Sequence, residues 1–133
     1  MKQRLAQISI IVKDYDEAIN FYVNKLGFTL VEDTILSEVK RWVKIAPAGS
    51  SECCLLLAKA ADDQQASRIG NQTGGRVFLF LNTDDFWRDY NQYKQHNIHF
   101  VREPVNEEWG TVAVFEDLYG NLWDLIGPAT NNP

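Results

Sequence analysis

The sequence predicts an α+β fold made of two copies of a strand-helix-strand-strand-strand unit. Residues 14–27 and residues 84–97 carry this prediction, because each stretch has an acidic cap, an amphipathic helix and a helix stop 13 residues after the cap. The two caps are 70 residues apart (84 − 14 = 70), and a pattern repeated at a fixed spacing indicates a duplicated structural unit. The chain has 133 residues, 45% of them apolar, which is enough to bury a substantial core.

The first unit opens with a strand over residues 6–12, in which Gln7 and Ser9 alternate with apolar side chains and therefore share one face. Asp14 then caps a helix, and Gly27 ends it because glycine readily adopts the left-handed conformation of a helix stop. The apolar stripe of this helix comprises Tyr15, Ala18, Ile19 and Tyr22. Three further strands are predicted over residues 28–33, 40–46 and 52–58.

Residues 59–75 are polar and rich in turn formers, which predicts a connector with at most one short helical turn. The second unit then repeats the order, with a strand over residues 76–81 and a helix that Thr83 or Asp84 caps and Asn97 ends. Its other strands are predicted over residues 99–102, 110–116 and 122–126. We therefore expect a single domain, with module 1 at about residues 4–58 and module 2 at about residues 76–128.

Composition excludes several classes of partner. The net charge of −5 and the isoelectric point near 4.9 lack the basic surface that nucleic acids or anionic membranes require. No apolar run approaches the roughly 18 residues of a membrane span, and the first residues do not form a signal peptide, so we expect a cytoplasmic protein. The adjacent cysteines, Cys53 and Cys54, would form a strained disulfide, and we expect packed thiols instead.

Two segments resemble the vicinal oxygen chelate superfamily, which includes glyoxalase I, extradiol dioxygenases, fosfomycin-resistance enzymes and bleomycin-resistance proteins. The segment ISIIVKDYDEAINFYVNKLGF is similar to the first strand, helix and stop of that family, and VFEDLYGNLWDLIGP to its ending. Leu118 and Tyr119 stand where the family usually has Pro-Asp. The resemblance covers nearly the whole chain. It implies two βαβββ modules whose curved sheets form a half-barrel around a ligand cleft, commonly in a homodimer.

Enzymes of this family usually hold a divalent metal through three positions, which fall here on Gln7, Arg76 and Asp124. Glutamine can donate an oxygen, but a guanidinium has no lone pair, and the aspartate is one methylene shorter than the usual glutamate. We therefore expect an Arg76–Asp124 salt bridge in place of a metal, so that Asp124→Asn should destabilise the fold. No cofactor is favoured, and a divalent ion (Ni, Zn, Mn or Fe) is the alternative. His96 and His99 are predicted to be solvated residues near the helix end rather than a zinc pair.

The remaining prediction is a cleft that binds a small organic molecule. Its candidate ligand-binding residues are Gln7, Ser9, Arg41, Trp42, Arg76, Phe78 and Trp109. Strand alternation sends one of Arg41 and Trp42 inward without deciding which. Trp109 lies in a segment similar to the EWG-containing segment of bleomycin-resistance proteins. Core packing is the competing explanation for each aromatic side chain, and Asp124 is the competing partner for Arg76.

Two classes of function compete. The favoured one is a metal-independent protein that sequesters or senses a small, anionic or aromatic compound, with Arg76 as its anion anchor. The alternative is a lyase, isomerase or dioxygenase in which Asp124 or Glu116 acts as general base and Arg76 stabilises an enolate. A third interpretation is a vestigial cleft on a protein whose surface binds a partner. The sequence identifies neither the ligand nor the pairing of modules in the expected homodimer.

Overall fold

Each half of the chain forms one four-stranded mixed sheet with a helix on one face. The structure is a computed structural model that describes residues 1–50 and 52–129. It divides into two units, unit 1 at Met1–Ile69 and unit 2 at Gly70–Pro133. The strand order is β1-β4-β3-β2 in unit 1 and β5-β8-β7-β6 in unit 2. This confirms the predicted α+β class and the two βαβββ modules.

Unit 1 consists of β1 (Gln7–Val12), α1 (Tyr15–Ile19), a π-helical continuation of α1 (Asn20–Lys25), β2 (Thr29–Ile35), β3 (Arg41–Ala46), β4 (Cys54–Lys59) and α2 (Asp63–Ala66). β1 and β4 are parallel, whereas the other neighbouring strands are antiparallel. The short α2 is the single helical turn expected in the connector. Both cysteines are free thiols, as predicted.

The first helix begins and ends where the sequence predicts, but it contains an unexpected π-helical segment. The Asp14 side chain accepts a hydrogen bond from the Glu17 N–H at 2.8 Å, and Gly27 has φ +80°. The Leu26 N–H donates to the Phe21 carbonyl five residues earlier, at 3.0 Å. This wider turn buries Phe21, which the predicted stripe omitted, beside Tyr22.

The two faces of the unit 1 sheet differ in burial. The side chains facing α1 are buried and mostly aliphatic, and they include Ile10, Val12, Val43, Ile45, Leu55 and Leu57. The opposite face, which we call the helix-free face, is partly exposed. On it Gln7 lies beside Cys54, and Ser9 lies beside Leu56. The alternation predicted for β1 is therefore confirmed.

Unit 2 consists of β5 (Leu79–Asn82), α3 (Phe86–Gln95), β6 (Phe100–Glu107), β7 (Gly110–Glu116) and β8 (Leu122–Gly127). Its core is aromatic, with ring contacts that join Phe86, Tyr90, Tyr93, Phe100, Phe115 and Trp123. The helix packs closely on β8, because a Cβ placed on Gly127 would come within 2.6 Å of the Phe86 Cβ. No helix among the described residues has the length and apolar character needed to cross a membrane.

Three predicted details of unit 2 are wrong. Asp85 caps α3, accepting from the Arg88 N–H at 3.1 Å, whereas Thr83 and Asp84 were expected to do so. β5 begins at Leu79 rather than at residue 76, and β6 continues to Glu107, five residues beyond its predicted end. The predicted helix stop is correct, since Asn97 has φ +62°.

Candidate functional site

The central strands of unit 1 separate at one end. β3 pairs with β4 through Ile45–Leu55, Lys44–Leu56 and Val43–Leu57, and the pairing stops there. Yet β3 begins two residues earlier, at Arg41, and β4 continues two residues further, to Lys59. In unit 2 the corresponding strand β8 pairs with β7 over its full length, from Thr111–Gly127 to Glu116–Leu122. The separation is therefore specific to the first copy of the repeated unit.

A pocket of about 610 Å³, the unit 1 pocket, opens at this separation. Its lining is formed by Tyr15, Val39, Lys40, Arg41, Trp42, Leu56, Leu57, Ala58, Lys59, Ala60, Ala61 and Gln65. The residues come from the start of β3, the end of β4 and the connector. Its volume lies within the range of small-molecule sites, about 300–1,000 Å³.

Trp42 and Arg41 project from opposite faces of β3, which answers the question left open by the alternation. Trp42 has the same parity as Lys44 and lies on the helix-free face, where it is half-buried. Arg41 has the parity of the buried Val43 and points toward the first helix, with its guanidinium 5.2 Å from the centroid of the Tyr15 ring. Trp42 is therefore the member of the pair whose ring is available on the helix-free face.

The Arg41 guanidinium is engaged within the protein. Its Nε and Nη2 donate to the two carboxylate oxygens of Asp33 at 3.1 and 2.6 Å, and its Nη1 donates to Asp16 at 2.9 Å. Hydrogen bonds to Asp33 and then Asp16 raise the pKa of Arg41, and the same contact lowers the pKa of Asp33. A bidentate pair fixes geometry as well as charge. Arg41 therefore anchors β3 to β2 and the helix at the edge of the pocket.

Two lysines at the unit 1 pocket are without a carboxylate partner. Lys40 and Lys59 both line it, and neither forms an ion pair within the described part of the chain. Both are exposed at the pocket edge. The pocket thus combines an aromatic and aliphatic wall with cationic groups, in a chain whose net charge is −5.

Gln7 and Ser9 lie outside this pocket. Both are on the helix-free face of β1, with Gln7 half-buried and Ser9 exposed. β4 separates them from Trp42, since β1 pairs with β4 and β4 with β3. They share the face but not the pocket lining.

The helix-free face of unit 2 carries a carboxylate among apolar side chains. Phe80 pairs with Asp124, which pairs in turn with Val114. Phe80 is 65% exposed and Asp124 is partly buried. Burial raises the pKa of the Asp124 carboxyl, while the charge of Arg102 acts in the opposite direction. Asp124 therefore holds its proton more readily than an exposed aspartate does.

The predicted Arg76–Asp124 salt bridge is wrong. Arg76 lies three residues before β5, and among the described residues it forms no ion pair. Counting from the helix caps gives the reason: Gln7 precedes Asp14 by seven residues, and the residue seven before Asp85 is Phe78. The position assigned to Arg76 belongs to Phe78.

The other predicted site residues lie apart. The Glu116 carboxylate lies beside the His99 ring, with 2.9 Å between the Glu116 Oε1 and the His99 Nδ1. His96 is the C-cap of α3, and both His96 and His99 are exposed, as predicted for residues near the helix end. Trp109 lies in the turn between β6 and β7 and is 63% exposed.

The residues present do not fit a divalent metal site. Phe78, at the position that matches Gln7, has no donor atom. In residues 1–50 and 52–129, no three His, Cys, Asp or Glu side chains lie close enough together to hold an ion.

Sequence reasoning missed a small pocket beside the turn before β8. This turn pocket has a volume of about 100 Å³. Its lining is formed by Gly70, Asn71, Gln72, Thr73, Gly75, Arg76, Phe78, Gly120, Asn121 and Leu122. The Gly-Asn pair in the sequence signalled the turn but not the cavity.

The sequence of the chain matches the model of one protein family. The profile of the Glyoxalase/Bleomycin resistance protein/Dioxygenase superfamily matches residues 4–125. The chain belongs to this superfamily, as the resemblance of its motifs predicted.

Relatives extend over nearly the whole chain. An uncharacterized protein of Shewanella frigidimarina (strain NCIMB 400) is 62% identical over 127 residues, which are 95% of this chain and 94% of that protein. The crystal structure of UcmS2 superposes with a TM-score of 0.82 at 31% identity and covers 95% of this chain and 98% of its own. TnmS3, an antibiotic binding protein from Streptomyces sp. CB03234, has a TM-score of 0.76 at 28% identity, covering 96% and 98%.

Proposed function

We propose that this protein binds a planar aromatic compound with an anionic group in the unit 1 pocket, and sequesters or senses it without chemical change. The observation that carries the proposal is the separation of β3 from β4, which makes room for a ligand beside Trp42. The similarity to an antibiotic binding protein supports the same class of function.

The lining determines the chemistry of the proposed ligand. The indole of Trp42 offers a flat surface, and Leu56 and Ala58 extend it with apolar contacts. Lys40 and Lys59 supply positive charge that no described carboxylate neutralises. An aromatic carboxylate or phenolate matches both features. Arg41 contributes by holding β3 in place, because its own donors are already used.

The test is a calorimetric screen of aromatic carboxylates and phenolates against the full chain, with and without a chelator. We expect at least one compound to bind equally well in both conditions. Replacing Lys40 and Lys59 by Gln should weaken that compound by about tenfold or more, whereas Lys25→Gln, a lysine remote in sequence from the lining, should not. Binding that vanishes with the chelator, or that ignores both lysines, would contradict the proposal.

Asp124 favours a second candidate, an enzyme that removes a proton next to a carbonyl group. Its carboxyl has a raised pKa and lies beside the exposed Phe80, and it has no ion pair among the described residues. Such a group is suited to proton transfer. The check is exchange of the α-protons of small ketoacids with D₂O. Exchange that persists unchanged in Asp124→Asn would remove this candidate.

We also propose that the protein is a homodimer. Support comes from β2, an edge strand whose residues are all exposed and which carries Leu30, Val31 and Ile35. Exposed apolar edges are commonly covered by a second copy. Light scattering coupled to size exclusion should give twice the mass of the 15.2 kDa chain, and a monomer at every concentration would refute the proposal.

A further inference from the structure

The side chains that line the unit 1 pocket offer donors, and their few acceptor atoms are already engaged. The described lining contains no carboxylate, and its side-chain oxygens belong to Tyr15 and Gln65. The Tyr15 hydroxyl accepts a hydrogen bond from the Arg41 N–H at 3.2 Å. The Gln65 Oε1 accepts one from the Ala61 N–H at 2.8 Å. A ligand that complements this lining therefore needs acceptor atoms of its own.

Gln65 is held in the connector through both its backbone and its side chain. It lies on α2, where its backbone N–H donates to the Asp62 Oδ1 at 2.8 Å. Its Oε1 is bound to Ala61, and the preceding residue, Ala60, donates its own N–H to the Val12 carbonyl at 3.0 Å. The segment that carries Gln65 is thus tied to the end of β1.

The contact with Ala61 determines how the Gln65 amide is turned. If the amide were rotated by half a turn, its NH₂ group would face the Ala61 N–H, and two donors would meet. The oxygen therefore faces the backbone, and Nε2 remains as a donor without a hydrogen-bond partner among the described residues. Gln65 is exposed, so a molecule in the pocket can reach this amide.

This neutral donor and the two lysines of the pocket recognise different groups. An ammonium attracts an anion by its charge, whereas an amide N–H favours any acceptor and opposes a second donor. A carbonyl oxygen accepts without donating, but an amine at the same place would set donor against donor. Resting on the proposed function, we infer that the ligand carries a carbonyl oxygen separate from its anionic group, and that Gln65 selects it by donating from Nε2.

The experiment compares 4-acetylbenzoate with 4-aminobenzoate by calorimetry on the full chain. The two probes share an aromatic carboxylate and its charge, but the opposite end of the ring carries an acceptor in one and a donor in the other. The parent chain should bind 4-acetylbenzoate about tenfold more tightly. Gln65→Glu keeps an oxygen for the Ala61 N–H and replaces the free NH₂ by an acceptor. The ratio of the two affinities should therefore shift by about tenfold or more toward 4-aminobenzoate.

The matched control is Gln64→Glu, which adds the same charge one residue earlier, at a side chain outside the pocket lining. It should leave the ratio of affinities unchanged, because the added charge acts on both anions alike. An equal shift in Gln64→Glu would overturn the inference, since the effect would then not depend on the Gln65 amide.

The remaining outcomes separate this inference from the proposed function. If no aromatic anion binds, both are overturned. If binding requires Lys40 and Lys59 but the ratio is the same in the parent chain and in Gln65→Glu, only the inference fails, because the amide then does not meet the carbonyl. It also fails alone if 4-acetylbenzoate does not bind while another aromatic anion of the screen does.

Discussion

In unit 1, β3 and β4 separate after the Val43–Leu57 pair, whereas in unit 2 β8 stays paired with β7 to both of its ends. The two sheets have the same strand order and the same parallel pair, so this difference arises within one architecture. The side chains that the sheet turns toward its helix are aliphatic in unit 1, where they include Ile45, whereas in unit 2 they include the aromatic Phe115 and Trp123. A repeated unit can therefore keep one copy regular while the other acquires a pocket.

The same contrast extends to charge. The opened end of unit 1 is braced by Arg41, which joins Asp33 on β2 to Asp16 on the first helix. In unit 2 the comparable arginine cluster, Arg88 with Asp84 and Asp89, lies within one helix and its preceding loop. We interpret the Arg41 cluster as a replacement for the strand pairing that the pocket removes.

The largest expected effect tests the contrast between the two cores. Phe115 is fully buried and contacts the rings of Tyr93, Phe100 and Trp123, and Ile45 occupies the matching register position in unit 1. Phe115→Ala should lower the free energy of unfolding by about 3–5 kcal/mol, because removal of the phenyl ring leaves a large cavity in the aromatic cluster. Urea denaturation followed by circular dichroism measures it.

Ile45→Ala is the matched control for the aliphatic core, with an expected loss of about 2–5 kcal/mol. The proposed difference between the two cores would be refuted if Phe115→Ala lowered the free energy of unfolding by less than Ile45→Ala does.

The next effect tests whether the pocket belongs to the opened sheet. Trp42→Ala should weaken the tightest aromatic anion of the screen by about tenfold or more, because it removes the flat wall of the unit 1 pocket. Ile45 and Phe115 hold equivalent register positions and are 70 residues apart in sequence. Val112 likewise lies 70 residues after Trp42, so Val112 is the equivalent of Trp42 in unit 2. Val112→Ala should leave the affinity unchanged. Equal losses in the two variants would place the ligand elsewhere.

The third effect tests the bracing by Arg41. Arg41→Gln should lower the free energy of unfolding by about 1 kcal/mol, a modest value because the pairs are partly exposed to solvent. Arg41 lowers the pKa of Asp33 in the folded state. The stabilisation from this pair is therefore fully present above the pKa of Asp33 in the unfolded chain, near 4, and is lost as the pH falls through the lower pKa of Asp33 in the folded chain.

The difference between Arg41→Gln and the parent chain should therefore be constant near neutral pH and shrink below about pH 4. Denaturation midpoints at several pH values measure it. Arg88→Gln, in the exposed cluster of unit 2, should have a smaller effect on the same midpoints. A loss that does not change with pH would show that Arg41 acts through packing alone.

The smallest effect reverses the sign expected from the sequence. Burial raises the pKa of Asp124 in the folded state, so its ionised form opposes folding once the pH exceeds the unfolded pKa. Asp124→Asn should therefore stabilise the protein at pH 7, by less than about 1 kcal/mol because the group is partly solvated. The gain should disappear below about pH 4, where both states are protonated. If Asp124→Asn instead lowered the stability at pH 7, the result would indicate that Asp124 forms a stabilising ion pair.

The regular part of the fold was predictable because it depends on local pattern. The caps at Asp14 and the stops at Gly27 and Asn97 are chemical signals of one or two residues, and all three are correct. The cap of α3 was not predicted correctly, because the run from Thr83 to Asp85 offers three adjacent candidates for one cap. The choice among them depends on packing that periodicity does not reveal.

The candidate site was predictable only in part, for a physical reason. Trp42 was predicted as a candidate ligand-binding residue and lines the unit 1 pocket, but the separation of β3 from β4 depends on backbone pairing between segments that are not adjacent in sequence. Arg76 was aligned with the strand by counting from Gln7, and the count was displaced by two residues. The orientation of the Gln65 amide likewise appears only when Ala61 is in place.

The π-helical segment explains why the two halves are out of step. From cap to stop the first helix spans 13 residues (27 − 14), and the second spans 12 (97 − 85). The wide turn over Asn20–Lys25 absorbs the additional residue, so both helices deliver the chain to the following strand at the same point of the unit. An alignment of the two copies therefore needs a one-residue gap inside the helix. The one-residue difference between the two copies is thus confined to the helix, and the strand order of the two sheets is the same.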